Sequence, residues 1–276
     1  MNPIAQFFVD LLTMITGGIS GSIGPLIGFI GNTPLAFTTA NPVIGGAWTT
    51  MVAVADVFLG LLITVKAMQV MYGQSTGAVY LPVSQFVPRA ILTAILIHLS
   101  ALLGQDLILL NNALCGLVRA DVMAFINQVN GGAFNGGQAA GISAVLTMVF
   151  LFSLLRVILQ ALKRIVFFNV LFVLSGPAFL MSFDAQTAPW FAFWARTYLV
   201  TIFTQFFQFL TFGLGFQFLI ASKLTGPTGF LLAIAMLNLT AEIPGLLSRF
   251  ATSAGASTAG IGSVVRSAVL AGALFV

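Results

Sequence analysis

The residues able to carry chemistry are few and lie inside apolar runs. Asp56 and Lys66 share one such run, where a charge costs at least about 2.5–3.5 kcal/mol unless it faces protein or water. Asp56 is therefore either a coupling carboxylate or the partner of a basic group on a neighbouring helix. Lys66 is expected to snorkel to the interface. His98 and Asp106 lie two helical turns apart and close to one face, the arrangement of a proton relay or of a buried, hydrogen-bonded imidazole. Further along, Thr197, Thr201, Thr204, Gln208 and Thr211 follow at heptad-like spacing on a Phe-rich segment. Such a seam faces either neighbouring helices, through interhelical hydrogen bonds, or an aqueous conduit. Arg156, Gln160 and Lys163 or Arg164 form a shorter stripe, whose default partners are anionic headgroups.

Several chemistries are missing. No G-x-x-x-x-G-K-[ST] occurs, so the chain is not expected to be a nucleotide-driven motor. H-E-x-x-H and C-x-x-C are absent too, and Cys115 and His98 are the sole residues of their types. No disulfide framework, metal centre or cofactor is expected, and no catalytic residue.

The elements that position these residues follow from composition. Of 276 residues, 59% are hydrophobic and 6% charged, against about 25% charged in a soluble domain. With a mean hydropathy of +1.09, the bilayer is the natural solvent. The net charge of +4 is scattered singly, which marks topology rather than a nucleic-acid surface. Met1 to Asp10 has no basic n-region, so targeting is expected to come from internal apolar segments.

Backbone groups in hydrocarbon must be paired within their own segment, so apolar runs of about 20 residues become helices. The expected fold is all-α: a polytopic integral membrane protein with five or six transmembrane helices and an N-terminal interfacial amphipathic helix. The spans fall at about 48–71, 87–110, 139–162, 165–181, 190–219 and 230–247 within a transmembrane domain 41–248, separated by breakers such as Asn41-Pro42, Asn111-Asn112 and Lys163-Arg164. Loop 113–138, rich in Asn and Gly from Arg119 to Gln138, divides the chain into two halves. Placing the Lys163-Arg164 turn in the cytoplasm puts Lys66, Arg89, Arg156 and Lys223 there as well. The N-terminus and loop 113–138 then lie outside, and the fifth span ends in the cytoplasm.

Segment 1–40 begins with Ile4, Phe7, Phe8, Leu11, Leu12 and Ile15 on one helical face, which suits a helix lying in the interface. Gly17, Gly21, Gly24 and Gly28 follow as either a close-packing stripe for oligomer contacts or a flexible connector. The tail 249–276 is rich in small residues. Gly176-Pro177 and Ile243-Pro244-Gly245 free backbone carbonyls that protein or water must satisfy.

The order of several stretches resembles the TrbL family, polytopic inner-membrane subunits of conjugative type IV secretion systems. The resemblance lies in Asn41-Pro42 before Trp48, Val54-Ala55-Asp56, Val87-Pro88-Arg89, Leu99-Ser100 and Leu109-Leu110-Asn111-Asn112. It continues through Leu155-Arg156, Asn169 to Ala178, Thr187-Ala188-Pro189-Trp190, Trp194, Gln205, Gln208 and Ile243-Pro244. It implies a membrane platform in the cell membrane, a ring-like homo-oligomer meeting pilin or stalk proteins outside and coupling ATPases inside. Single-stranded DNA with attached protein, or effector protein, would pass in transit. A self-contained secondary transporter or channel using Asp56, and a membrane enzyme, are the readings from other classes.

Overall fold

Asn41 and Pro42 start the first long helix by local rules. Asn41 Oδ1 accepts the Val43 N–H at 3.0 Å and its carbonyl accepts from Gly45 at 2.8 Å, while Pro42 occupies the first helical position, where no N–H is needed. The computed structural model describes residues 28–76, 83–118, 140–184, 186–221, 228 and 231–249. Its long elements are α1 (Pro42–Thr76), α2 (Val83–Gly116), α3 (Ala140–Val173), the short α4 (Ser175–Met181), α5 (Ala188–Ala221) and α6 (Leu231–Arg249). No strand occurs among the described residues.

Four helices, α1, α2, α5 and α6, are long and apolar enough to cross a membrane, and a fifth crossing results if α3 and α4, bent by 53°, count together. The chain is thus all-helical and consistent with a multi-pass membrane protein. Only 17% of the apolar stretch of α1, and of α2, is buried within the chain, against 50% for α5. The hairpin is peripheral and α5 is central.

The structure corrects the expected segmentation in the middle of the chain. Lys163 and Arg164 do not form a turn; α3 runs through both without interruption to Val173. The expected spans 139–162 and 165–181 are therefore not two antiparallel crossings. The break comes at Leu174, ahead of Ser175-Gly176-Pro177, because Pro177 has no N–H to offer the Val173 carbonyl. Asn111-Asn112 does not end its helix either, so residues 113–116 are helix rather than loop, and α1 runs past the expected end at 71 to Thr76. With the turn gone, the sidedness drawn from Lys163 and Arg164 loses its anchor.

Relative sides follow from contacts. Lys66 Nζ lies 3.3 Å from Asp184 Oδ2 and the Phe86 and Phe183 rings are 5.6 Å apart, so α4 delivers the chain to the side where α1 ends and α2 begins. From there α5 runs back until Phe212 and Phe216 pack with Phe150 and Leu154 near the start of α3. The end of α5 thus lies on the side where α3 begins, not opposite it as expected.

Packing joins the supposed halves. Ile108 of α2 shares a core with Phe168 and Phe172 of α3 and Tyr198 and Ile202 of α5, while Val52, Ala55, Ala90 and Ile97 form another between α1 and α2 that takes in Phe183. Stacked rings run from Trp48 to Phe172 (6.3 Å) and Phe168 (6.0 Å), then Tyr198 (5.3 Å) and Trp194 (5.0 Å). Gly104 admits this stack: a Cβ there would meet the Tyr198 hydroxyl at 2.7 Å and the Phe172 ring at 2.8 Å. Gly104→Ala is expected to cost about 1–3 kcal/mol through overpacking, read as a lowered midpoint of thermal unfolding in detergent.

Candidate functional site

The centre of the molecule is a polar knot between α2, α3 and α5, tied by a strap that precedes α1. Residues 28–41 lie across the middle of α3 and α5 and near the end of α2, with Ile30 buried in one core with Val157, Ala161 and Phe212. Gly31 lets the strap sit low, since a Cβ there would stand 2.6 Å from the Phe209 ring. The Thr33 N–H donates to Asn112 Oδ1 at 2.9 Å, and Asn112 Nδ2 donates back to the Thr33 carbonyl at 3.0 Å. Thr33 Oγ1 donates to Gln205 Oε1 at 2.6 Å, and Gln205 Nε2 donates to Asn112 Oδ1 at 3.1 Å. Four hydrogen bonds close a ring among three residues, the condition under which a buried polar network stabilises.

Arg164 joins the knot from α3: its Nη2 donates to Thr33 Oγ1 at 3.1 Å and to the Phe29 carbonyl at 3.4 Å. Its Nη1 is out of contact with solvent and has no partner. Asn169, also on α3, donates to the Phe37 carbonyl at 2.9 Å. Beside Asn111, whose Oδ1 is likewise unpartnered, lies a void of about 10 Å³, close to the space one water needs.

The polar seam of α5 lines the adjoining cavity. This space, about 570 Å³, is bounded by Thr197, Thr201, Thr204 and Gln208 of α5, by Gln160, Lys163 and Arg164 of α3, and by Pro244 and Ser248 of α6, with Arg196 also on its wall. Thr211 is not part of it. The threonine hydroxyls do not bond across helices: Thr197, Thr201, Thr204 and Thr211 donate to the carbonyls of Phe193, Thr197, Val200 and Phe207, four residues back. That satisfies each donor within α5 and leaves lone pairs of the Thr197, Thr201 and Thr204 hydroxyls for the cavity they line.

Interhelical bonding falls to the glutamines. Pro244 has no N–H for the Thr240 carbonyl one turn back in α6, and Gln208 Nε2 donates to that freed carbonyl at 3.4 Å. Gln208→Leu is expected to cost about 1–2 kcal/mol, by leaving a buried acceptor unpaired. In a Pro244→Ala background the restored N–H takes the carbonyl instead, so the same change costs less. A double-mutant cycle on thermal unfolding measures the difference.

Asp56 and His98 meet on the outer face of the α1–α2 hairpin, Nε2 to Oδ2 3.8 Å, with side chains 42% and 60% exposed for Asp56 and His98 respectively. His98 thus faces Asp56 rather than Asp106, which is exposed on the same hairpin. Arg89 is exposed on α2, and Arg156 lines a second groove on α3 with Gln160 and Lys163. Asp56 borders neither of these two grooves.

Gly28 has open space where a Cβ would be; Gly17, Gly21, Gly24, the amphipathic stretch 4–15, loop residues 119–138 and tail residues 250–276 lie outside the described residues. No group of three or more His, Cys, Asp or Glu gathers among the described residues.

Sequence reasoning placed the seam on one face but missed the knot. Of its members, Asn112 was read as part of a helix stop, Gln205 was singled out only as part of a resemblance, and Thr33 not at all. The available signal was Gln205 itself, on the stripe with Tyr198, Ile202, Phe209 and Phe212 that forms the apolar side of α5. A glutamine on a core stripe requires a partner. Comparison with models of protein families, with curated proteins and with solved structures found no match for this chain.

Proposed function

We propose that this chain is a platform or channel subunit of a type IV secretion (conjugation) machine. In this reading it assembles as a ring-like homo-oligomer in the inner membrane and supports the passage of DNA or protein and the assembly of a pilus or stalk. The observation that carries the assembly is the outward face of the hairpin. Asp56, His98 and Asp106 lie along α1 and α2 and open away from the chain. Facing acyl chains, each such group costs at least a few kcal/mol; facing a second copy or an aqueous opening, it does not. The rest of that face, with Val57, Phe58, Leu61, Leu99 and Leu102 exposed, suits lipid and helix contacts equally.

The secretion system itself is supported by the motif order. Several residues of that order also tie α5 to its neighbours: Asn112 and Gln205 close the knot, Gln208 meets the carbonyl freed by Pro244, and Trp194 Nε1 donates to the Leu171 carbonyl at 3.1 Å. Deletion of the gene from a conjugating host is the test. DNA transfer is expected to be lost and to return with the intact chain; transfer that continues without it contradicts the assignment.

A further inference from the structure

The geometry points to a built site for one anionic phospholipid in the cavity between α3, α5 and α6, its phosphate met by Lys163, Arg164 and Arg196. This inference rests on the membrane reading and not on the secretion assignment. The three cations border one space of about 570 Å³, and among the described residues none of them lies within ion-pairing distance of a carboxylate. Uncompensated cations in a membrane-spanning bundle demand an anion. Arg164 Nη1, in the same wall, is buried and has no partner. Lys163 and Arg196 offer the charge-assisted bonds that a phosphate oxygen accepts, and Arg164 adds its charge from within the wall.

Size and lining select a lipid as the source of that phosphate. The volume falls within the roughly 300–1,000 Å³ of small-molecule sites. Phe167, Phe193, Val200 and Pro244 make much of the remaining wall apolar, and a second groove along Phe152, Leu155 and Leu159 meets the cavity at Gln160 and Lys163. An acyl chain fits that track. A nucleic-acid strand needs cations repeated along its length with stacking platforms between them, and this wall groups three cations around one space.

The test uses the delipidated full chain in detergent, titrated with fluorescent phosphatidylglycerol and, separately, with fluorescent phosphatidylcholine. Saturable binding of one phosphatidylglycerol is expected, at least about tenfold tighter than phosphatidylcholine. Lys163→Gln with Arg196→Gln is expected to weaken it by roughly 30-fold, near fivefold for each cation removed. Val200→Trp, which fills the cavity and keeps the cations, is expected to abolish it. Circular dichroism confirms that each variant keeps its helices, and Val200→Trp decides the matter if the double variant does not. Equal affinity for the two lipids, or binding unchanged by cavity filling, overturns the proposal. Displacement by millimolar inorganic phosphate would make it a free-phosphate site, and displacement by a single-stranded oligonucleotide a nucleic-acid site; either also overturns it.

Discussion

Asn112→Leu is expected to lower the unfolding free energy of the purified protein by about 3 kcal/mol, the sum of three lost bonds near 1 kcal/mol each. Asn112 accepts from the Thr33 N–H and from Gln205 Nε2 and donates to the Thr33 carbonyl. A leucine leaves two backbone groups of the strap and one buried amide unpaired in a low-dielectric interior. The neighbouring Asn111→Leu is the control, because the same chemical change there removes a buried amide whose Oδ1 has no partner. It is expected to be near neutral or stabilising. Thermal or denaturant unfolding in one detergent, followed by circular dichroism, compares the two; equal losses would show that the knot does not hold the strap.

Gly176→Leu is expected to cost about 3 kcal/mol or more, at the upper end of what overpacking does. A Cβ at Gly176 would stand 3.3 Å from Val52 Cα and 3.4 Å from the Met51 carbonyl oxygen, and helix backbone yields less readily than a side chain. The site is also wired: Ser175 Oγ donates to Ser100 Oγ at 3.0 Å, Trp48 Nε1 donates to the same oxygen at 3.0 Å, and Ser100 Oγ donates to the Ile97 carbonyl at 2.7 Å. Pushing α4 off α1 therefore breaks bonds as well as contacts. Gly176→Ala is expected to cost about 1 kcal/mol, because the misfit is a few tenths of an ångström. A leucine variant that unfolds at the wild-type midpoint would mean that α4 does not pack tightly on α1.

The membrane class and the positions of α1, α2, α5 and α6 could be read from the chain because each is a long apolar run set by bilayer thickness. The α3–α4 segment could not. A pair of charges inside an apolar run ordinarily marks a boundary, but here Arg164 stays within its helix because Thr33 and Phe29, more than a hundred residues away in sequence, accept its hydrogen bonds. Likewise Asn112 has the composition of a helix stop, yet its amide is used by the strap and the helix runs on to Gly116. The seam on α5 was visible because periodicity reports which residues share a face. Which hydroxyls bond within their own helix, and which glutamine reaches another, depends on tertiary neighbours such as the carbonyl freed by Pro244. Lys66 and Asp56 both found partners, Asp184 and His98, and neither pairing leaves a trace in local sequence.

The most direct measurement is the oligomeric state in lipid nanodiscs, by native mass spectrometry with cryo-EM of the same sample. A closed ring is expected, with Asp56, His98 and Asp106 turned to a neighbouring copy or to a central opening. A stable monomer with those three side chains against lipid would contradict the account.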